Sequence, residues 1–305
     1  MEVEVKKLAE EEFLRIPGVV GVSVGQHSEK KVRIYVERKD VVLMREIPKK
    51  FLGYEVEVVE VGTIKPLITT EERRLRWRPI FPGISIGSVK ITAGTLTGIA
   101  IDKDDGEYVL LSNYHVFWGD AGERIVQPGP YDGGTIKDTV GFLKRYSPVY
   151  STAKNYLDSA IATCDVDFDA TEPELGKPVG VRDAVMLEVL VKAGRSTGVT
   201  RGSVLDTSAT VKVVDYPGIG TAVFEDVIVT SYMAAPGDSG SPAFAVLDGN
   251  WVGQVFAGSE KITCMIKATR IVQRLRITPI LGMPTITMGF GMFPLLIMAA
   301  ASILR

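Results

Sequence analysis

The string Pro236-Gly237-Asp238-Ser239-Gly240-Ser241-Pro242 lies between two strand-like runs and presents a hydroxyl on a tight, glycine-flanked turn. Glycine on either side of Ser239 removes Cβ clashes and admits backbone angles that other residues avoid. The N–H groups of Gly237 and Ser239 can then turn inward and bind a developing oxyanion. The chemistry this suggests is attack of a serine hydroxyl on a carbonyl. Gly, Asp and Ser are also favoured in ordinary polar hairpin turns, and the string by itself does not separate the two readings.

A serine hydroxyl is a weak nucleophile without a base, and the chain holds two imidazoles, His27 and His115. His27, in Gly25-Gln26-His27-Ser28, reads as a surface histidine in a turn. His115 ends the run Val109-Leu110-Leu111-Ser112-Asn113-Tyr114-His115-Val116, where an apolar strand gives way to a polar turn. In isolation it reads as a hydrogen-bonded histidine at a strand end. With Ser239 in need of a partner, it becomes the base. The base in turn needs an orienting carboxylate. Asp158, in Leu157-Asp158-Ser159-Ala160-Ile161-Ala162, leads into an apolar strand, and a carboxylate buried there requires a partner. Asp165, Asp167 and Asp169 alternate as on an exposed strand face or turn and are weaker candidates.

The order His115, Asp158, Ser239 with the Gly-Asp-Ser-Gly-Ser-Pro string resembles the chymotrypsin/trypsin-like serine proteases. Ser-Asn-Tyr-His-Val and Asp-Ser-Ala-Ile-Ala are similar to the corresponding motifs of microbial members. Gly194-Arg195-Ser196-Thr197-Gly198-Val199-Thr200-Arg201-Gly202 resembles a motif of the streptogrisin-like branch. The likeness runs from about Pro82 to Ile277. It implies two six-stranded antiparallel β-barrels, with His115 and Asp158 from the first and Ser239 from the second. It also implies a serine endopeptidase that forms an acyl-enzyme and needs no cofactor or metal. Microbial relatives pair the aspartate before the nucleophile with an internal arginine, so the resemblance makes Arg195 the partner of Asp238. It places Met233 at the floor of the primary specificity pocket, where a non-acidic residue gives no partner to Arg or Lys. It places a substrate strand along Val255, Phe256, Ala257 and Gly258, in keeping with the physics of strand addition. The histidine motif lacks the Ala-Ala-His-Cys form of animal enzymes, and their disulfide framework is absent, which fits an intracellular or microbial enzyme.

The elements that must hold these residues are legible as short β-branched runs between Gly, Pro, Asp and Asn, among them Tyr108–Leu111, Val185–Val191, Ala222–Thr230 and Trp251–Phe256. Long helical periodicity is absent before Ile266–Ile277. This is a mainly β pattern of sandwich or barrel type with one closing helix. The first 65 residues differ. Val5–Arg15 suits an amphipathic helix, and Gly18–Gly25, Lys31–Glu37 and Tyr54–Val61 suit strands. A small α+β domain over 1–65 follows, a pro-segment, inhibitor or docking module. The charged stretch 66–81 reads as a solvated linker or a processing site near Arg73–Arg78, and 82–277 as the protease-like domain.

The net charge of −2 gives no electrostatic case for nucleic acid. Cys164 and Cys264 read as buried free thiols, a single disulfide being the alternative. The N-terminus lacks the apolar run of a secretory signal. Residues 278–305 carry no charge before Arg305. The tail has the length of a membrane anchor, though Pro279, Pro284 and Pro294 interrupt it, and burial in a homo-oligomer or against the domain is the alternative. As an anchor, with Lys267, Arg270, Arg274 and Arg276 ahead of it, it would keep the main domain on the cytoplasmic side. The expected partner is a peptide or protein substrate. Two other readings compete with turnover: a protease-like scaffold that binds without cleaving, and a membrane-tethered assembly protein that cleaves only itself.

Overall fold

Val32, Ile34 and Val36 are fully buried while their neighbours are only half-buried, the period-2 pattern of a strand with one covered face. They belong to the first of two units, Met1–Leu67 and Ile68–Arg305. The computed structural model describes residues 2–25, 30–62, 64 and 68–282. The first unit runs α1 (Glu2–Phe13), β1 (Val19–Val24), β2 (Lys31–Val36), α2 (Leu43–Glu46), β3 (Lys50–Phe51) and β4 (Tyr54–Glu60). Its sheet order is β1-β2-β4-β3, with β2 and β4 parallel. Val5, Ala9 and Phe13 recur every fourth residue on α1 and pack with the buried face of β2. The expected α+β unit is therefore present. His27 lies outside the described residues.

The second unit begins with the charged stretch. Arg73 is fully buried, its guanidinium 2.6 Å from Glu172, and Trp77 N–H donates to Gln127 Oε1. The expected solvated linker over 66–81 is thus corrected at Arg73, while Glu71, Glu72 and Arg76 stay exposed: a buried cation needs a paired anion, and Glu172, 99 positions downstream, provides it. A cut at Arg73 would require local unfolding.

Then follow β5 (Ser85–Ser88), β6 (Gly94–Thr95), β7 (Gly98–Asp102), β8 (Tyr108–Ser112), β9 (Arg124–Val126), β10 (Thr139–Tyr146), β11 (Lys154–Asn155) and β12 (Ala160–Thr163). The chain continues through β13 (Val189–Gly194), β14 (Gly198–Tyr216), β15 (Gly220–Ser231), β16 (Pro242–Ala245), β17 (Trp251–Gly258), β18 (Ile262–Lys267), α3 (Ala268–Arg274) and β19 (Ile277–Pro279). One sheet has the order β19-β7-β8-β12-β10-β9-β5-β6. It exceeds the expected six strands by two short ones, β6 and β19. The other closes on itself: β13-β14-β15 continues through the β15–β18 pairing to β17 and β16, and β16 returns to β13. Six antiparallel strands thus form a ring with no free edge among them, and β11 adds to it in parallel along β15. Leu190, Val204, Ile228, Val252 and Met265 fill this second barrel. A larger cluster from Ile80 to Ile277 fills the first barrel and the seam. Each fully buried Leu, Ile or Val contributes about 1.5–3 kcal/mol.

α3 is the expected closing helix, and the chain past it returns to the first barrel, where Ile277–Pro279 pairs with Ala100–Asp102. The start of the apolar tail is therefore a strand of the fold. Residues 283–305, and the membrane and oligomer expectations that rest on them, lie outside the described residues. Among the described residues no helix is long and apolar enough to cross a membrane. Cys164 is half-buried, Cys264 is buried, and both are free thiols. Burial pushes each up to about 11, so neither is a ready nucleophile.

Candidate active site

β8 and β12 are antiparallel neighbours with Ser112 opposite Ala160. The residues that follow β8 and those that precede β12 therefore meet at one end of the sheet. His115 sits three residues past Ser112, and Asp158 two before Ala160. His115 Nδ1 lies 2.6 Å from Asp158 Oδ2, and the His115 backbone N–H donates to Asp158 Oδ1 at 3.1 Å. Asp158 is fully buried, whereas the His115 side chain is 16% exposed. The ring thus has one nitrogen held by a buried carboxylate and the other available at the surface. A carboxylate in this place favours the tautomer with its proton on Nδ1, which leaves a lone pair on Nε2. A third donor reaches Asp158: the Tyr216 phenol donates to Oδ1 at 3.0 Å. Its ring stands edge-on to His115, with centroids 5.7 Å apart.

Ser239 sits between β15 and β16 on a loop whose glycines earn their positions sterically. Gly237 and Gly240 have φ of +93° and +96°. A Cβ at Gly240 would lie 2.0 Å from Thr95 O, and one at Gly237 2.4 Å from Ser196 Oγ. Thr95 clamps the loop from the first barrel: its N–H donates to Ser239 O at 2.7 Å and its hydroxyl to Gly237 O at 2.9 Å. The N–H groups of Asp238, Gly240 and Ser241 are engaged by Ala235 O, Val255 O and Asp238 O. Those of Gly237 and Ser239 donate to no protein acceptor among the described residues. Ser196 Oγ holds the Pro236 carbonyl at 2.7 Å. Since C=O and N–H of a trans peptide point oppositely, this bond aims the Gly237 N–H away from Ser196.

Beneath the loop Asp238 is fully buried and accepts from Ala235 N, Ser196 N, Thr197 N and Thr197 Oγ1. Its ionic partner is Lys192, fully buried, with Nζ 3.2 Å from Asp238 Oδ2 and 2.9 Å from Gly198 O. Burial pushes the Lys192 ammonium below the ordinary lysine range, and Asp238 acts in the opposite sense. The expected Arg195–Asp238 pair is therefore corrected. Arg195 turns to the first barrel, forks onto Asp132 with both contacts at 2.5 Å, and lies over the Tyr131 ring. Side chains alternate across a strand. From β13, Lys192 points at Asp238, while Arg195, past the strand end, reaches across to Asp132.

Gln254 joins the three segments. Its Oε1 accepts from Asn113 Nδ2 at 3.0 Å and from Ser159 Oγ at 2.5 Å, and its Nε2 donates to Thr97 Oγ1 at 2.6 Å. Thr97 Oγ1 then donates to Gly240 O. Asn113 neighbours the His115 turn, Ser159 follows Asp158, and Gly240 follows Ser239. One buried side chain thus ties together the loops of all three residues.

Beside Ser239 an open pocket of about 400 Å³ is walled by Tyr232, Ala234, Ala235, Pro236, Val255 and Ala257. Gly258, Ser259 and Glu260 complete it. Of the residues expected to line a substrate groove, Val255, Ala257 and Gly258 border this pocket. Met233 and Phe256 do not. Met233 is buried in the core of the second barrel, and Phe256 packs 4.8 Å from Phe224. The specificity argument built on Met233 is corrected accordingly. Met233 sits on the inward-facing register of its segment, and its neighbours Tyr232 and Ala234 face the pocket.

Solved structures with this architecture include Thermobifida fusca protease A, with 15% identity and a TM-score of 0.51, covering 67% of this chain and 99% of that one. Cellulomonas bogoriensis chymotrypsin matches with 18% identity and a TM-score of 0.50, covering 68% of this chain and 100% of that one. The fold is that of the chymotrypsin-like serine proteases. No protein-family model matches the chain, and no curated protein matches it in sequence. Within the chymotrypsin-like fold, Gln254, Lys192 and Tyr216 are site residues that sequence reasoning missed. The Asp215-Tyr216-Pro217-Gly218 turn was the one available signal for Tyr216, and nothing local marks the other two.

Proposed function

We propose that the chain is a serine endopeptidase that cleaves peptide bonds through an acyl-enzyme. The observation that carries this reading is the buried Asp158 carboxylate on His115 Nδ1, together with a glycine-flanked Ser239 whose loop carries two N–H groups with no protein acceptor among the described residues. In this reading Ser239 Oγ attacks the substrate carbonyl while His115 Nε2 takes its proton, and Asp158 stabilises the imidazolium. The Gly237 and Ser239 N–H groups hold the tetrahedral oxyanion. His115 then protonates the leaving amine, and water repeats the sequence on the acyl-enzyme, freeing Ser239. The substrate backbone lies along Ala257 and Gly258. There β17 extends past its last pairing with β16, Gln254 with Pro242, so a sheet edge is open to an added strand. The side chain before the scissile bond enters the pocket of Tyr232, Ala234 and Ala235.

A serine-reactive fluorophosphonate labels Ser239 in the wild type and fails to do so in His115→Ala or Ser239→Ala. Cleavage of a peptide library follows the same pattern. Absence of labelling in the wild type would favour a protease-like scaffold that binds without turnover.

A further inference from the structure

β14 and β15 are 19 and 12 residues long, several residues more than closing the second barrel requires. Past Val204 the residues of β14 alternate between exposed and half-buried up to Asp215, so this part of the hairpin projects from the barrel. A projecting hairpin is expected to end in a polar, solvated turn. This one ends on Tyr216, which is 4% exposed. Pro217-Gly218 follows in the order of a type II turn, with Gly218 at φ +67° and Ile219 N–H donating to Tyr216 O. Asp215, at φ +54°, is one of the few non-glycine residues in the left-handed region, and it turns the chain just before the tyrosine.

The hairpin is fastened on both sides of the His115–Asp158 pair. At its tip a Cβ on Gly218 would lie 2.4 Å from Trp118 Cζ2, so the turn lies flush against the segment that follows His115. Along its flank, β11 pairs with Val223 and Phe224, and Tyr156 O–H donates to Glu225 Oε2 at 2.9 Å. These contacts are with the segment that leads to Asp158. Between the two fastenings the Tyr216 phenol meets Asp158 Oδ1.

We propose that Tyr216 is a positioning residue for the proton-transfer pair, delivered by the β14–β15 hairpin to hold the Asp158 carboxylate in the one orientation that keeps Oδ2 on His115 Nδ1. A buried carboxylate needs its oxygens satisfied. Oδ2 has the imidazole, and Oδ1 has the His115 N–H and the Tyr216 O–H. The carboxylate torsion is intrinsically broad, so its orientation is set by donors and not by a rotamer. Without the phenol, Oδ1 keeps a single donor, and that donor comes from His115 itself. Burial and the Asp158 charge push the phenol above the ordinary tyrosine range, so it remains a donor wherever the histidine is neutral. The inference rests on the endopeptidase reading for its kinetic consequence, but not for its structural one.

The test compares full-length wild type with Tyr216→Phe, which removes one oxygen and keeps the ring. The expected kcat for a peptide substrate falls roughly 10- to 100-fold, the range for a hydrogen bond to a charged group. KM stays within about twofold, because Tyr216 lines no part of the substrate pocket. The acid limb of the kcat/KM profile moves, because the carboxylate that faces the imidazole has lost one of its donors. The far-downfield proton resonance of His115 Nδ1–H shifts as well. Phe224→Leu, which loosens the packing of Tyr216 without touching its oxygen, lowers stability and leaves the acid limb in place. If wild type reacts with the fluorophosphonate and Tyr216→Phe matches it in rate and acid limb, the positioning role is overturned and the endopeptidase reading stands. If wild type does not react, the endopeptidase reading fails. The resonance then decides: a shift in Tyr216→Phe upholds the positioning role, and an unchanged one overturns it.

Discussion

Asp158 does two kinds of work that can be separated by substitution. Its Oδ2 orders the imidazole, and its Oδ1 takes two donors from different parts of the chain. Asp158→Asn is close to isosteric but presents an N–H₂ to one of these partners, favouring the wrong histidine tautomer. The expected fall in kcat is about four orders of magnitude, with the protein still folded by circular dichroism. Stopped-flow release of an acyl-enzyme chromophore would check it, and a fall of less than tenfold would remove Asp158 from the mechanism. At this scale the sequence was informative. The types and order of His115, Asp158 and Ser239 were readable because nucleophile chemistry needs few residue types and the chain holds few histidines. Tyr216 and Gln254 were not readable, since a tyrosine or glutamine acquires a role only from what it touches.

The nucleophile loop depends on the strand beneath it. β13 presents Lys192 to Asp238 while the turn that follows supplies Ser196 and Thr197 to the same carboxylate. Removing one partner of a buried ion pair leaves an uncompensated charge. Lys192→Met is therefore expected to cost about 3–5 kcal/mol in urea denaturation. It should also slow phosphonylation of Ser239 by the fluorophosphonate, because Asp238 anchors the peptide next to Ser239. A variant with wild-type stability and labelling rate would contradict this. The Gly194–Gly202 string was legible as a resemblance, but the ionic partner of Asp238 was assigned to the wrong residue. Motif resemblance carries residue types, whereas the direction of a side chain follows from strand register, which Lys192 and Arg195 do not share.

At the scale of the molecule, the chain's C-terminal side is stapled to its first barrel. Asp102, fully buried in β7, pairs with Lys144 and Arg145, and Arg145 also donates to Leu275 O just before β19. Burial alone would raise the Asp102 carboxyl, but the hydrogen bonds from Arg145 and Lys144 prevail and hold it at about 2. A folded-state value below the unfolded one contributes stability above the ordinary aspartate value of about 3.9, and the contribution is lost as pH falls through about 2. Asp102→Asn should thus lower Tm by several degrees at pH 7. The gap to wild type should narrow between about pH 4 and pH 2. Scanning calorimetry across that range checks the sign, and a gap that widens on acidification would refute it.

The sequence by itself determined the mainly β class, the small α+β unit ahead of it, and three residues of suitable chemistry. Alternating apolar positions, turn residues and reactive side chains are local properties, and they survive without neighbours. Tertiary structure alone decided which groups meet. It buried Arg73 on Glu172 where a linker was expected, gave Asp238 to Lys192, and withdrew Met233 into the barrel core. It also brought a hairpin tip from the second barrel onto Asp158. Each of these depends on register, closure and burial, which are fixed only when distant strands pair and exclude water.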